Sequence, residues 1–544
     1  MKRLITIFIF VSIVLPIWSI PASRKGIVVQ QSDGSSLLVY PHGDEHFHWI
    51  ENSQGEWLEK DNNGMYHVVE PLSSEAIAQM RINSPRRIEQ QTQKSFPLNI
   101  APRGLVILVS FADKAFATEK AEMDSMMLGA HYTRSYQYRY LNQVYNISSQ
   151  GSARQYFYDS SFGQYNPQFD VIGPVTISNN MEYYGQNDNR GYDKYAGTMV
   201  KEACLVADTA YDIDFSQYDN NKDGKVDFVY IIYAGYGEAD SYIENTIWPH
   251  AYKLSYDKIN VMIDGKKIDS YACGNEINYM SKLHDGIGTF CHEFSHVLGL
   301  PDIYPTNGDT YRTHASWDVM DYGPYNNDSN TPPSYSSYER FFMGWLTPIQ
   351  LTDTGTYVLS DLLSSNQAYL VAEGTHNLIG NDPSPSTFYM IENRQPTAWD
   401  YHLYGHGMMI TRIRYNYSSW YNNTPNNSEN QLGIDLIEAD GIVPKYNSYS
   451  SDYYGKPGDL FPAGATQYSF GETMLKDINE ANGQIHFCYT SAHLTNITQA
   501  PSSHSIIAIY DILGNRQNTR QISDLGKGVY IIYSDSGNQK IVIQ

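Results

Sequence analysis

His292 and His296 stand four residues apart, a spacing that on a helix sets both imidazoles on one face, where they offer two nitrogens to a single metal ion. Glu293 follows the first histidine directly. Its carboxylate therefore lies beside the metal without being a ligand, placed to take a proton from an attacking water. The helix is expected to begin near Gly288, after the Asp285-Gly286 turn, and to stop at Gly299, which accepts a left-handed backbone; Pro301 prevents a restart. That reversal swings Asp302 back as a third ligand and leaves one position open, as in catalytic rather than structural zinc sites. His314 is the rival third ligand, though no turn in its stretch aims it at the pair. The first glutamate beyond His296 is Glu339, too distant for the usual helix pair to supply it.

The elements that hold these residues belong to a chain of 544 residues, long enough for three or four structural units. Met1-Lys2-Arg3 followed by an apolar stretch to about Trp18 reads as a secretory signal peptide, residues 1–19. Alternation around Gly and Asn turns from Gly26 to about Pro71 predicts a small β unit, followed by a polar linker containing Arg86-Arg87. Together, residues 20–97 read as a propeptide on a cleavable linker. Within it, His42-Gly43-Asp44-Glu45-His46 is either a hairpin turn or a cluster in which Asp44 caps an open zinc site. The continuous apolar run Leu105 to Phe111 predicts a buried strand near the start of a catalytic segment, 98–350, with a helix near Ala196–Ala210. Strand-like runs to residue 490 suggest a β-rich domain, 351–490, and three further strands form a terminal module, 503–544.

Basic residues number 37 and acidic residues 59, a net charge of −22 that disfavours nucleic acid or an anionic membrane as partner. No segment after the leader is long and apolar enough to span a membrane, so stable membrane insertion of the mature chain is not expected. Asp219, Asn221, Asp223, Lys225 and Asp227 mark alternating positions around Gly224, the first half of a calcium loop; the alternative is an Asx-rich turn leading into a strand. The four cysteines, the first of them Cys204, define no disulfide framework and exclude a cysteine latch from the N-terminal segment.

Ser316 to Gly323, with Met320 and Tyr322, resembles the methionine turn of metzincin peptidases. That resemblance implies an apolar floor at Met320 and a Tyr322 hydroxyl that reaches the metal or the developing oxyanion. Over about residues 98–490 the chain also resembles the immune inhibitor A family of secreted bacterial zinc metallopeptidases. The matching pieces are residues 292–302, Gly151 to Phe157, the Asp219–Asp227 loop, Ile247-Trp248-Pro249-His250 and Tyr389 to Gln395. The family implies an exported endopeptidase made as a precursor, zinc-dependent and calcium-stabilised, acting on protein or peptide substrates outside the cell or at its surface. The terminal module looks like a type nine secretion signal, which implies secretion machinery as a partner. The fold class expected is α+β, a metzincin-like zinc peptidase domain followed by all-β C-terminal domains. The competing reading is a catalytically inactive, zinc- and calcium-stabilised surface adhesin or carbohydrate-binding protein; the presence of Glu293 speaks against it.

Overall fold

The computed structural model describes residues 18–45, 47–73, 76–77, 101–188, 192–445, 451–491, 506–511, 516–518, 525, 528–534 and 537–543. The first 17 residues of the expected leader, His46, and the Arg86-Arg87 linker lie outside the described residues. The chain divides into two compact units. One comprises residues up to 350 together with 359–465 and 480–485; the other comprises 351–358, 466–479 and 486 onward. The stretch expected as a single β-rich domain is thus shared between the two, because the strands from Tyr369 to Leu436 build into the same unit as the zinc motif.

The first unit is organised on a six-stranded sheet. Its order is Trp18–Ser19, His250–Lys253, Ser270–Asn275, Val229–Tyr233, Arg103–Ser110, Gln168–Thr176. The last four strands are mutually parallel, while His250–Lys253 and Trp18–Ser19 are antiparallel to their neighbours. Parallel strands covered on both faces need apolar side chains throughout, which is why Leu105 to Val109 reads as an unbroken run and is wholly buried. Helices Lys120–Leu128 and Ala196–Tyr211 pack on the Gln168–Thr176 strand.

Helix Gly288–Leu298 lies against strand Ser270–Asn275. Phe290 and Phe294 form one pair at four-residue spacing, and His292 and His296 form another, offset by two residues or about 200° of helical rotation. The phenylalanines face the core: Phe290 meets Phe169 with ring centres 4.9 Å apart, and Phe294 meets Phe157 at 5.1 Å and Phe228 at 5.0 Å. The histidines consequently look the other way. The helix ends at Gly299, whose φ of +104° is the left-handed turn anticipated from the sequence.

Two five-stranded sheets also belong to this unit. Residues 27–68 form an antiparallel five-stranded meander, and a five-stranded sheet runs in the order Ile349–Gln350, Tyr369–Ala372, Thr387–Arg394, Gly407–Arg414, Ile434–Leu436. The second unit carries an antiparallel three-stranded sheet of Ile506–Asp511, Gly528–Ser534 and Gly537–Ile543. The molecule is therefore a mixed helix-and-sheet protein. No helix among the described residues is long and apolar enough to cross a membrane.

Candidate metal centre and cleft

His292, His296 and Asp302 converge, all buried. Their facing atoms nearly touch: Nε2 of His292 and Nε2 of His296 are 3.2 Å apart, and Asp302 Oδ1 is 3.2 and 3.3 Å from them. His292 Nδ1 is 2.7 Å from the Val319 carbonyl oxygen and His296 Nδ1 is 2.8 Å from that of Leu300. A carbonyl oxygen only accepts, so both Nδ1 atoms carry the proton and both Nε2 atoms present lone pairs. Burial lowers the His296 pKa, disfavouring the imidazolium that would otherwise relieve the crowding. Two lone pairs and a carboxylate facing one another in a dry pocket repel unless a cation sits between them. Two imidazoles and one carboxylate are the donor set of a catalytic zinc, so the residues fit that metal.

The outer partners fix the aim of each ligand. The turn at Asp318–Asp321 braces two of them, since Val319 orients His292 and the Met320 carbonyl accepts the Ile303 N–H at 2.8 Å, next to Asp302. Met320 itself is fully buried. Asp302 is clamped by Asn423, whose Oδ1 accepts the Asp302 N–H at 2.6 Å while its Nδ2 donates to Asp302 Oδ2. Nothing local in the sequence marks Asn423, which lies 121 positions downstream. His314 is not part of the cluster; its Nε2 meets Thr411 Oγ1 at 3.3 Å and burial pushes its pKa down to about 3.

Glu293 is fully buried next to the ligands. Burial, and then the charge of Asp302, push its pKa above the usual value. Its Oε1 accepts the backbone N–H of Ile20 at 2.8 Å, so the cleft is filled by the chain's own N-terminal segment. Trp18 and Ser19 pair with Ala251 and His250 at the edge of the main sheet, and Trp248 Nε1 donates to the Ile20 carbonyl at 3.0 Å. Tyr304 donates its hydroxyl to the Ser19 carbonyl. Sequence reasoning passed over Tyr304, because a tyrosine two residues beyond Asp302 is indistinguishable from any core aromatic until Ser19 is placed opposite it.

Tyr322 is buried near Tyr304, their ring centres 6.5 Å apart, and its ring carries the Arg24 guanidinium at 4.5 Å. Asp44 and Glu45 lie at the buried tip of the hairpin formed by Ser36–Asp44 and Phe47–Glu51, where Asp44 Oδ1 accepts the Phe47 N–H at 3.1 Å. Cys291 is a buried free thiol, as are Cys204 and Cys273.

The Asp219–Asp227 loop does not support the calcium expectation. Asp219 accepts the N–H groups of Asp223 at 2.9 Å and Gly224 at 3.0 Å, Asn221 accepts that of Asp223, and Asp223 that of Lys225. Lys266 supplies the cation, its Nζ 2.7 Å from Asp219 Oδ2, and Asp227 binds Asn220. The loop is an Asx-rich turn, and among the described residues only the His292, His296 and Asp302 group gathers as a metal site.

Residues 99–345 match the family model of the immune inhibitor A peptidase M6 catalytic domain. Immune inhibitor A of Bacillus thuringiensis subsp. alesti is 28% identical over 218 residues, which cover 35% of this chain and 31% of that protein. The pre-pro-metalloprotease PrtV of Vibrio cholerae serotype O1 is 27% identical over 242 residues, 40% of this chain and 25% of that protein. The chain thus spans under a third of the length of either relative, and neither name points to an adhesin or a carbohydrate-binding protein. Over the stretch that carries His292, Glu293, His296 and Asp302, the chain is similar to the peptidase M6 catalytic domain of immune inhibitor A, and this match together with the relatives' names supports a metalloendopeptidase.

Proposed function

We propose that the protein is a secreted, zinc-dependent endopeptidase that hydrolyses peptide bonds in extracellular proteins and is made as a latent precursor. The observation that carries the reading is the convergence of His292, His296 and Asp302 with Glu293 beside them and not among them. Zinc held there supplies a Lewis acid for the scissile carbonyl and lowers the pKa of water. The remaining steps fall to side chains. Glu293 takes the proton of the attacking water and returns it to the leaving amine; burial suits it to both transfers. Tyr322 is the proposed hydrogen-bond donor to the developing oxyanion once the N-terminal segment has left.

Latency is supported by the occupied cleft. In the full-length chain a substrate cannot reach Glu293 while Ile20 is bonded to it, and the part of this segment that remains once residues 1–19 are removed is still held by the Tyr325 bond to the Pro21 carbonyl and by Arg24 over Tyr322. Export through a terminal sorting module, residues 503–544, belongs to the same reading. The test is Glu293→Gln in the full chain, nicked with trypsin at Arg86-Arg87: one zinc is retained and casein cleavage is lost. Cleavage at the wild-type rate by that variant would end the assignment.

A further inference from the structure

Beyond Tyr322 the cleft widens under a hairpin, Ser135–Tyr140 and Gln143–Ser148, into a space of about 570 Å³ lined by Tyr138, Tyr140, Tyr322, Tyr325, Lys25 and Asp328. Asp328 belongs to a run of three left-handed residues, Asn327, Asp328 and Ser329, with φ of +49°, +56° and +62°. None is a glycine, so the run is strained and persists because its surroundings hold it. The Ser329 carbonyl accepts the N–H of Gly288, the first residue of the helix that carries His292 and Glu293, at 2.8 Å. Asn327 donates to the Ser148 carbonyl on the hairpin, also at 2.8 Å. Asp328 is thereby fixed in place relative to the metal centre. Its side chain is 2% exposed and accepts the hydroxyls of Tyr136 on Oδ2 at 3.0 Å and of Tyr138 on Oδ1 at 3.1 Å. Neutral donors orient a buried carboxylate and leave its charge uncancelled. The one cation paired with it among the described residues is Lys25, whose Nζ lies 3.5 Å from Oδ1 and whose side chain is still 36% exposed. Asp240 and Asp285 line a small adjoining pocket with Lys25, and Asp240 Oδ1, shut off from solvent, has no hydrogen-bond partner. Arg134 at the foot of the hairpin is turned to the His284 carbonyl at 2.9 Å, and the Lys282 ammonium to the Tyr279 ring at 3.5 Å.

We propose that Asp328 is a specificity-determining residue: with Tyr136 and Tyr138 it forms a subsite for a basic side chain of the substrate, on the C-terminal side of the bond cut. The inference rests on the peptidase reading above and narrows its substrates to peptides that carry lysine or arginine there. Lys25 stands where that cation goes. It lies within residues 20–97, which the precursor reading removes, so the subsite is filled in the latent chain and left without its cation in the processed one. The direction follows from the same segment. It passes Glu293 at Ile20 and reaches Asp328 five residues later, so a substrate laid along that path carries its cation beyond the leaving amine. A buried carboxylate held only by hydroxyls favours a ligand that brings the missing charge, and the same field rejects glutamate at that position.

The test uses the full chain nicked with trypsin at Arg86-Arg87 and then freed of trypsin on an immobilised inhibitor, with nicked Glu293→Gln as the background. A mixed peptide library cut by the wild-type chain should show lysine or arginine enriched at one fixed position C-terminal to the cut. Matched peptides with lysine or glutamine at that position should differ by about 10–100-fold in kcat/KM, the contribution of a hydrogen bond to a buried charge. No basic enrichment on that side overturns the proposal, and this arm needs no variant. Asp328→Asn should bring the lysine-to-glutamine ratio to about 1, and Asp328→Lys should favour the matched glutamate peptide. Each ratio is internal to one protein, so a smaller folded fraction does not move it. A lysine preference kept by Asp328→Asn overturns the role of Asp328. Casein separates the two readings. Casein cut by the wild-type chain with no basic preference in the library refutes this inference alone, and casein and library both uncut refute the peptidase reading with it.

Discussion

Asn423 offers the most quantitative handle on the metal site, because it touches Asp302 twice and has no place in the chemistry. Its Oδ1 accepts the Asp302 N–H at 2.6 Å and its Nδ2 donates to Oδ2, all within a pocket closed to solvent. Asn423→Ala leaves one buried N–H and one buried carboxylate oxygen without these partners, each worth about 1–3 kcal/mol. Part of that cost falls on the fold with or without metal. The part specific to binding is the loss of carboxylate aim, which for such outer partners weakens metal affinity about 10–100-fold, or about 1.4–2.8 kcal/mol. The assay is competition for zinc between the full chain and a chelating fluorophore, with thermal unfolding of the metal-free protein recorded in parallel. A lower melting temperature with unchanged zinc affinity would show that Asn423 only packs the loop, and the account of Asp302 as an aimed ligand would fall.

Gly299→Ala forces a Cβ onto a residue at φ +104°, costing about 1–2 kcal/mol in denaturant titration, and it should weaken zinc binding as well because the turn sets the return of Asp302; unchanged zinc affinity would separate the turn from the ligand. Asp44→Ala should leave the unprocessed chain latent and destabilise it by about 1 kcal/mol, since its carboxylate caps the Phe47 N–H within a hairpin; casein cleavage by the unprocessed variant would restore Asp44 as a cap on the metal. Burial, then the charge of Asp285, pushes Asp240 up from 3.8 to about 8. Over that interval the folded chain binds a proton that the unfolded chain has lost, so this group's contribution to stability is present below about pH 4 and declines as pH rises toward 8, by at most about 1.4 kcal/mol per pH unit. Asp240→Asn should flatten the pH dependence of the denaturation midpoint in that window, and coincident wild-type and variant slopes would refute the assignment.

The parts of the site that were legible in the sequence are those fixed by local geometry. His292 and His296 follow from helical pitch, and the stop at Gly299 from the only residue that takes a left-handed backbone without strain. The Phe290 and Phe294 pair, offset by two residues, tells which face is core and therefore which way the histidines look. The Leu105–Val109 run gave the central strand for the same reason, since only a doubly covered strand is apolar on both faces. The Asp219–Asp227 loop was ambiguous because calcium loops and Asx turns use one alphabet, and what the fold adds is Lys266, more than forty positions away, with its ammonium on Asp219.

What stayed hidden is everything that meets the site from a distance. Asn423 reaches Asp302 from beyond the Gly407–Arg414 strand, and Ser19 and Ile20 come from the far N-terminus. None has a periodic or motif signature, because each is selected by one partner and not by its neighbours in the chain. The same distinction bears on how the cleft is regulated. A metal site written into eleven consecutive residues forms as soon as its helix and turn do, so the fold has no local means of keeping it inactive. Restraint has to be imposed by a remote segment, and the atoms left to restrain are the ones that do the chemistry. In the full-length chain, Glu293 with its Ile20 N–H and Tyr304 with its Ser19 carbonyl meet that requirement.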